Sequence, residues 1–179
     1  MTDRHKLDQV IAVIVEGGAE AAILDILLDY DKLIFRRDDI LEGRVLRTRN
    51  ARTFESTYLV NAFPKGGIVI YRILDSHKEE FRISNRYRHI TTVVNVVTAP
   101  EIEMLMILLE KKYEEYKKRH FKPSEYCKTV LKMKRCKEYS FVKEYYSDYE
   151  KLIASIEEYH MITSKKKGEL TLKELLKVS

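Results

Sequence analysis

Val10-Ile11-Ala12-Val13-Ile14-Val15-Glu16-Gly17-Gly18-Ala19-Glu20 is the stretch that decides the fold. Six apolar, mostly β-branched residues predict a strand buried on both faces. The chain then turns at Gly17-Gly18 into Glu20–Leu28, where Ile23, Leu24, Leu27 and Leu28 form one apolar helical face. A second run, Ile68-Val69-Ile70-Tyr71-Arg72-Ile73-Leu74, ends in Asp75-Ser76, and a third spans Ile90 to Val97. Strands alternating with helices predict a mostly parallel sheet flanked by helices. In such sheets the carboxyl ends of the strands form the functional edge. Two strands ending in carboxylates there put two acids side by side. Clustered carboxylates repel unless a cation stands between them, and their hard oxygens suit Mg²⁺.

Shorter elements fill the intervals. Leu33-Ile34-Phe35 and Arg44 to Thr48 read as short strands. Phe54 to Phe63 reads as a helix ended by Pro64-Lys65-Gly66-Gly67. Thr98-Ala99-Pro100-Glu101 has the spacing of a capping box with proline in the first turn. It predicts a long helix through Ile102–Leu109 and on to Lys118. From His120 onward the β pattern stops. Lys122–Leu131, Tyr139–Tyr149 and Tyr149–Tyr159 read as helices rich in tyrosine, which pack while their hydroxyls reach water. Ser164-Lys165-Lys166-Lys167-Gly168 reads as a linker, and Leu170–Val178 as a terminal helical segment prone to fraying. The expected division is an α/β domain over 1–120, a helical extension packed on it over 121–163, and a linker with terminal segment over 164–179.

The chain has 179 residues, 34% of them charged, and a formal net charge of +5. That basic excess permits an acidic partner such as nucleic acid. Cys127 and Cys136 lack zinc-ligand spacing and read as reduced thiols. Met1–Lys6 is charged and has no signal-peptide cleavage region, and no apolar run reaches membrane-span length. The cytoplasm is the expected location.

Three places carry candidate chemistry. Glu16 ends the first strand directly, whereas Glu20 reads as a carboxylate favouring a helix N-terminus. Asp75 ends the second strand. His77, Lys78 and Glu79 beyond it read as a solvated charge run. Glu103 lies among Ile102, Met104, Met106 and Ile107, and a carboxylate buried there needs a metal, an arginine or a water network. If all three acids project from one sheet edge, their repulsion raises at least one pKa. Arg36, Arg37, Arg44, Arg47, Arg49 and Arg52 form a loose basic cluster, read as surface.

Taken together, Ile11-Ala12-Val13-Ile14-Val15-Glu16-Gly17, the strand ending in Asp75-Ser76-His77, and Pro100-Glu101-Ile102-Glu103 resemble the Toprim superfamily. The resemblance is nearest to the small Toprim-like proteins of the RloB and OLD-nuclease neighbourhood, which occur in bacterial defence systems. It covers roughly residues 8–110. Toprim domains carry an Asp-x-Asp pair in the second motif, and here only Asp75 has a counterpart. The resemblance implies a Toprim-like (Rossmann-like) fold and Mg²⁺- or Mn²⁺-dependent phosphodiester chemistry on DNA or RNA. Asp75 and Glu103 would be metal ligands, Glu16 a metal ligand or general acid/base, and Lys78 the cation that stabilises developing charge. Two other readings stand beside it. One is a non-catalytic Toprim-like module that binds a protein partner, such as an ATPase, or a ligand. The other is a structural protein whose acids each pair with an arginine or lysine.

Overall fold

The computed structural model describes residues 9–60, 66–76 and 80–177. Strand β1 (Val10–Ile14) pairs with β2 (Ile68–Leu74), and β2 with β3 (Thr91–Val97). Both pairings are parallel and the order is β1-β2-β3. The register sets Ile14 opposite Arg72 and Leu74 opposite Val97. Alternate residues point to opposite faces, and both faces are covered. On one face Ile11, Val13, Val69, Ile73 and Val96 pack into a large core with the helices. On the other, Ala12, Ile14, Ile68 and Ile70 meet Leu46, Phe54, Phe81 and Ile83. Burial on both sides explains why β1 reads as an unbroken apolar run and β2 as one broken only by Arg72, itself 2% exposed.

Helix α1 (Gly18–Asp29) follows β1, and α2 (Ala51–Phe54) is capped by Asn50, whose side chain accepts from the Thr53 N–H at 3.2 Å. Instead of continuing as an α-helix toward Phe63, the chain widens into a π turn over Glu55–Leu59. Residues 61–65 lie outside the described residues. The two short strands expected near Leu33 and Leu46 are single bridges. Leu46 takes a hydrogen bond from Val15 and gives one to Val13, but one apolar residue at a time secures no longer ladder.

The Thr98–Glu101 capping box does not form. The Thr98 hydroxyl donates to the Leu74 carbonyl at 3.1 Å, and Glu101 accepts from the Ser124 N–H at 2.8 Å. Thr98 thus ends the sheet, the Ala99–Pro100 peptide is cis, and α3 begins only at Met104. Helix α3 (Met104–Leu109) also stops short of Lys118. Lys111 has φ 55°, and its N–H and that of Lys112 return to the carbonyls of Leu108 and Ile107. This is a Schellman ending with lysine in the left-handed position, and α4 (Tyr113–Lys117) starts afresh.

Beyond it lie α5 (Pro123–Thr129), α6 (Tyr139–Tyr145) and α7 (Tyr149–Ile162). Tyr126, Val142, Tyr146, Leu152 and Ile156 are buried in the same core as α1 and α3. Among the described residues no helix is long and apolar enough to cross a membrane. Instead of a frayed helix, the terminal segment is a brace. Leu170 bridges Val96 on the free edge of β3, a 3₁₀ turn covers Leu172–Leu175, and Leu176 bridges Leu33. Leu172, Leu175 and Leu176 are buried. Covering an open edge in this way blocks further strand pairing.

Candidate active site at the carboxyl edge of the sheet

Glu16 and Asp75 follow the ends of adjacent parallel strands. The β1–β2 ladder ends at Ile14 opposite Arg72, two residues before Glu16 and three before Asp75. The Glu16 side chain is largely buried, and the Arg49 guanidinium lies 3.7 Å from its carboxylate while donating to its backbone carbonyl at 3.1 Å. Part of the basic cluster read as surface therefore reaches the site. Lys78, with His77 and Glu79, lies outside the described residues.

Glu20 bends back over the turn, so that a Cβ on Gly17 would stand 2.8 Å from its carboxylate oxygen. It does the helix-terminus work expected of it, through a hydrogen bond with the Gly17 backbone. It also joins the acidic edge. Burial pushes its carboxyl up, the charge of Asp75 adds to the rise, and Lys137 opposes it.

Glu103 is 3% exposed. Burial pushes its carboxyl up to about 7, against the pull of Lys137 and with further pressure from Glu101 and Glu20. The rise comes first from burial, with smaller pressure from Glu101 and Glu20, and not from repulsion by Glu16 or Asp75. Glu101 behaves oppositely. Burial pushes it up, but hydrogen bonds from Ser124 and Lys137 outweigh that and hold it below the usual carboxylate range.

Lys137 is the residue that sequence reasoning missed. Its ammonium donates to Glu101 at 3.0 Å, and the charges of Glu103, Glu101 and Glu20 hold its pKa above the ordinary lysine value despite burial. It arrives from the connection before α6, where the backbone passes close over α1. A Cβ on Gly18 would stand 2.9 Å from the Lys137 carbonyl oxygen and 3.1 Å from the Tyr139 nitrogen. Gly18 was legible as half of a turn, but nothing local shows that it makes room for a distant segment.

The acids are hard-oxygen donors of the kind Mg²⁺ takes. Their arrangement is another matter. Among the described residues, no three His, Cys, Asp or Glu side chains stand close enough together to hold a metal ion. In this conformation Lys137 and Arg49 supply the positive charge, so a ready-made three-carboxylate metal centre does not fit these residues as they stand. An open cleft of about 360 Å³ adjoins the edge, with Asp75, Ser76 and Glu101 in its lining.

Fold and site together define a three-stranded parallel α/β protein with an acidic, partly neutralised carboxyl edge beside a cleft. No family model, curated protein or solved structure matches the chain.

Proposed function

We propose that the chain is a Toprim-like protein of the metal-dependent nuclease class, acting on a phosphodiester of DNA or RNA, with phage defence as its setting. The observation that carries this reading is the placement of Glu16 and Asp75. They end neighbouring parallel strands at one edge, and that edge continues into buried Glu103 and Glu20. Mg²⁺ or Mn²⁺ is the cofactor the reading calls for, with the cytoplasm as its compartment; Glu16, Asp75 and Glu103 would have to draw closer than they stand here to ligate it together. With an excess of carboxylates at the edge, a divalent cation would relieve repulsion that Lys137 and Arg49 only partly offset. Without the cation Glu103, whose carboxyl burial pushes up to about 7, holds a proton near neutral pH that metal binding would displace.

A second reading has its own observation. Among the described residues no three acids stand close enough together to hold a metal ion. A broken carboxylate cluster suits a non-catalytic Toprim-like module that binds a protein partner, such as an ATPase, or a ligand.

Incubation of labelled single- and double-stranded DNA and RNA with Mg²⁺, Mn²⁺ or EDTA separates the two. The nuclease reading expects metal-dependent cleavage, abolished in Glu16→Gln while the circular dichroism spectrum is retained. Binding without cleavage under every metal condition favours the module.

A further inference from the structure

The cleft beside Asp75 has two chemically different walls. The sheet edge supplies Asp75 and Glu101. Tyr116 in α4 and, at the start of the helical extension, Phe121 and Lys122 from the connection to α5 supply the other wall. Tyr116 is set by packing. Its ring stands at 86° to that of Tyr126, with centroids 5.4 Å apart, and Tyr126 is fully buried. Phe121, partly exposed and packed against the core, follows Lys117-Lys118-Arg119-His120 and precedes Lys122, all of them exposed, with Lys117 and Arg119 paired to Glu114 and Glu115. An aromatic face within a run of basic side chains is how non-specific single-strand sites are built: cations track the backbone while rings take the bases. The cleft's volume is in the range of small-ligand sites. The carboxylates of Asp75 and Glu101 in the same lining are acceptors suited to exocyclic amino groups.

We infer that this cleft seats one unstacked nucleobase of a single-stranded nucleic acid, between Tyr116 and Phe121 on one side and the acidic edge on the other. The backbone then runs along Lys122 and Lys118. The inference rests on the proposed phosphodiester-acting role and adds a substrate preference to it. A base within a duplex has both faces covered by its neighbours and cannot enter, so the site selects single strands or frayed ends. It also gives the extension a task at the site beyond covering the core.

The test is fluorescence anisotropy in Mg²⁺ with a labelled single-stranded oligonucleotide, the same sequence as a duplex, and a single strand of equal length with abasic positions. The wild-type protein binds the single strand more tightly than either control. Tyr116→Leu/Phe121→Leu, which keeps bulk and removes the rings, weakens single-strand binding by about tenfold and removes the preference over the abasic strand. Tyr116→Phe retains both. Thermal unfolding with and without Mn²⁺ shows that the double variant is folded and that its acidic edge is intact. Equal binding of single strand and duplex by the wild type overturns the inference. So does an unchanged preference over the abasic strand in the double variant or, if that variant does not fold, in Tyr116→Leu. Ring-dependent binding without cleavage supports the cleft and counts against the nuclease reading alone. Cleavage with ring-independent binding leaves that reading standing and overturns the cleft.

Discussion

The Lys137 ammonium donates a 3.0 Å hydrogen bond to the Glu101 carboxylate, tying the helical extension to the carboxyl edge of the sheet. Lys137 also faces the charges of Glu103 and Glu20. Removing it leaves three acids together. Lys137→Met is expected to lower stability by about 1 kcal/mol, since the lysine is half exposed and screened. The loss is expected to grow between pH 6 and pH 8, as Glu103 ionises without its counter-charge. Urea unfolding at several pH values measures this, and an unchanged midpoint at pH 8 would show the pair to be ornamental.

Glu103 makes the folded protein sensitive to pH in its own right. Its carboxyl sits near 7 in the fold against 4.5 ordinarily. Between those values the folded chain holds a proton that the unfolded chain has released. The cost of the buried charge is therefore absent below pH 4.5, rises through neutrality and is complete above pH 7. Glu103→Gln removes it. In EDTA the variant is expected to match the wild type at pH 4 and to exceed it by about 3 kcal/mol at pH 8. A constant difference between the two across that range would mean that Glu103 does not titrate as described.

Gly18 makes room for the segment that brings Lys137 to the site. A side chain there meets backbone atoms, which cannot swing aside. Gly18→Val is expected to cost about 2 kcal/mol, as overpacking does, and to loosen the 137–139 connection. Hydrogen exchange on that connection reports the second effect. Unchanged protection there would show that the close approach is dispensable.

The terminal brace has a simple test. Leu175 is fully buried, and the residues around it close the β3 edge. Leu175→Ala is expected to cost about 3 kcal/mol, within the usual range for a buried leucine. A frayed tail would lose almost nothing in thermal unfolding.

The parallel sheet was readable because both faces of β1 and β2 are buried, which leaves mostly apolar runs rich in valine and isoleucine in the chain, with Arg72 the one charged residue within them. Glu16 and Asp75 were readable as acids closing those runs. What escaped was decided by distant partners. Thr98 has the right neighbour for a capping box, but its hydroxyl is taken by Leu74 across the sheet. Lys111 has no local signal for a left-handed position, yet the core ends beneath it and the helix ends there. Glu20 carried an ordinary helix-terminus role in the sequence and keeps it, while tertiary packing also sets it beside Asp75. Lys137 reaches Glu101 only through the packing of α6 on α1, a contact that no local pattern encodes.

The most direct test of the central claim is calorimetric titration of the folded protein with Mn²⁺, wild type beside Asp75→Ala. If the acidic edge is a divalent-cation site, the wild type binds Mn²⁺ saturably and rises in thermal midpoint as the metal concentration passes the dissociation constant. Asp75→Ala then binds more weakly and gains less. Identical isotherms for the two proteins, or no binding by the wild type, would contradict the account and leave the acids to side-chain cations such as Lys137 and Arg49.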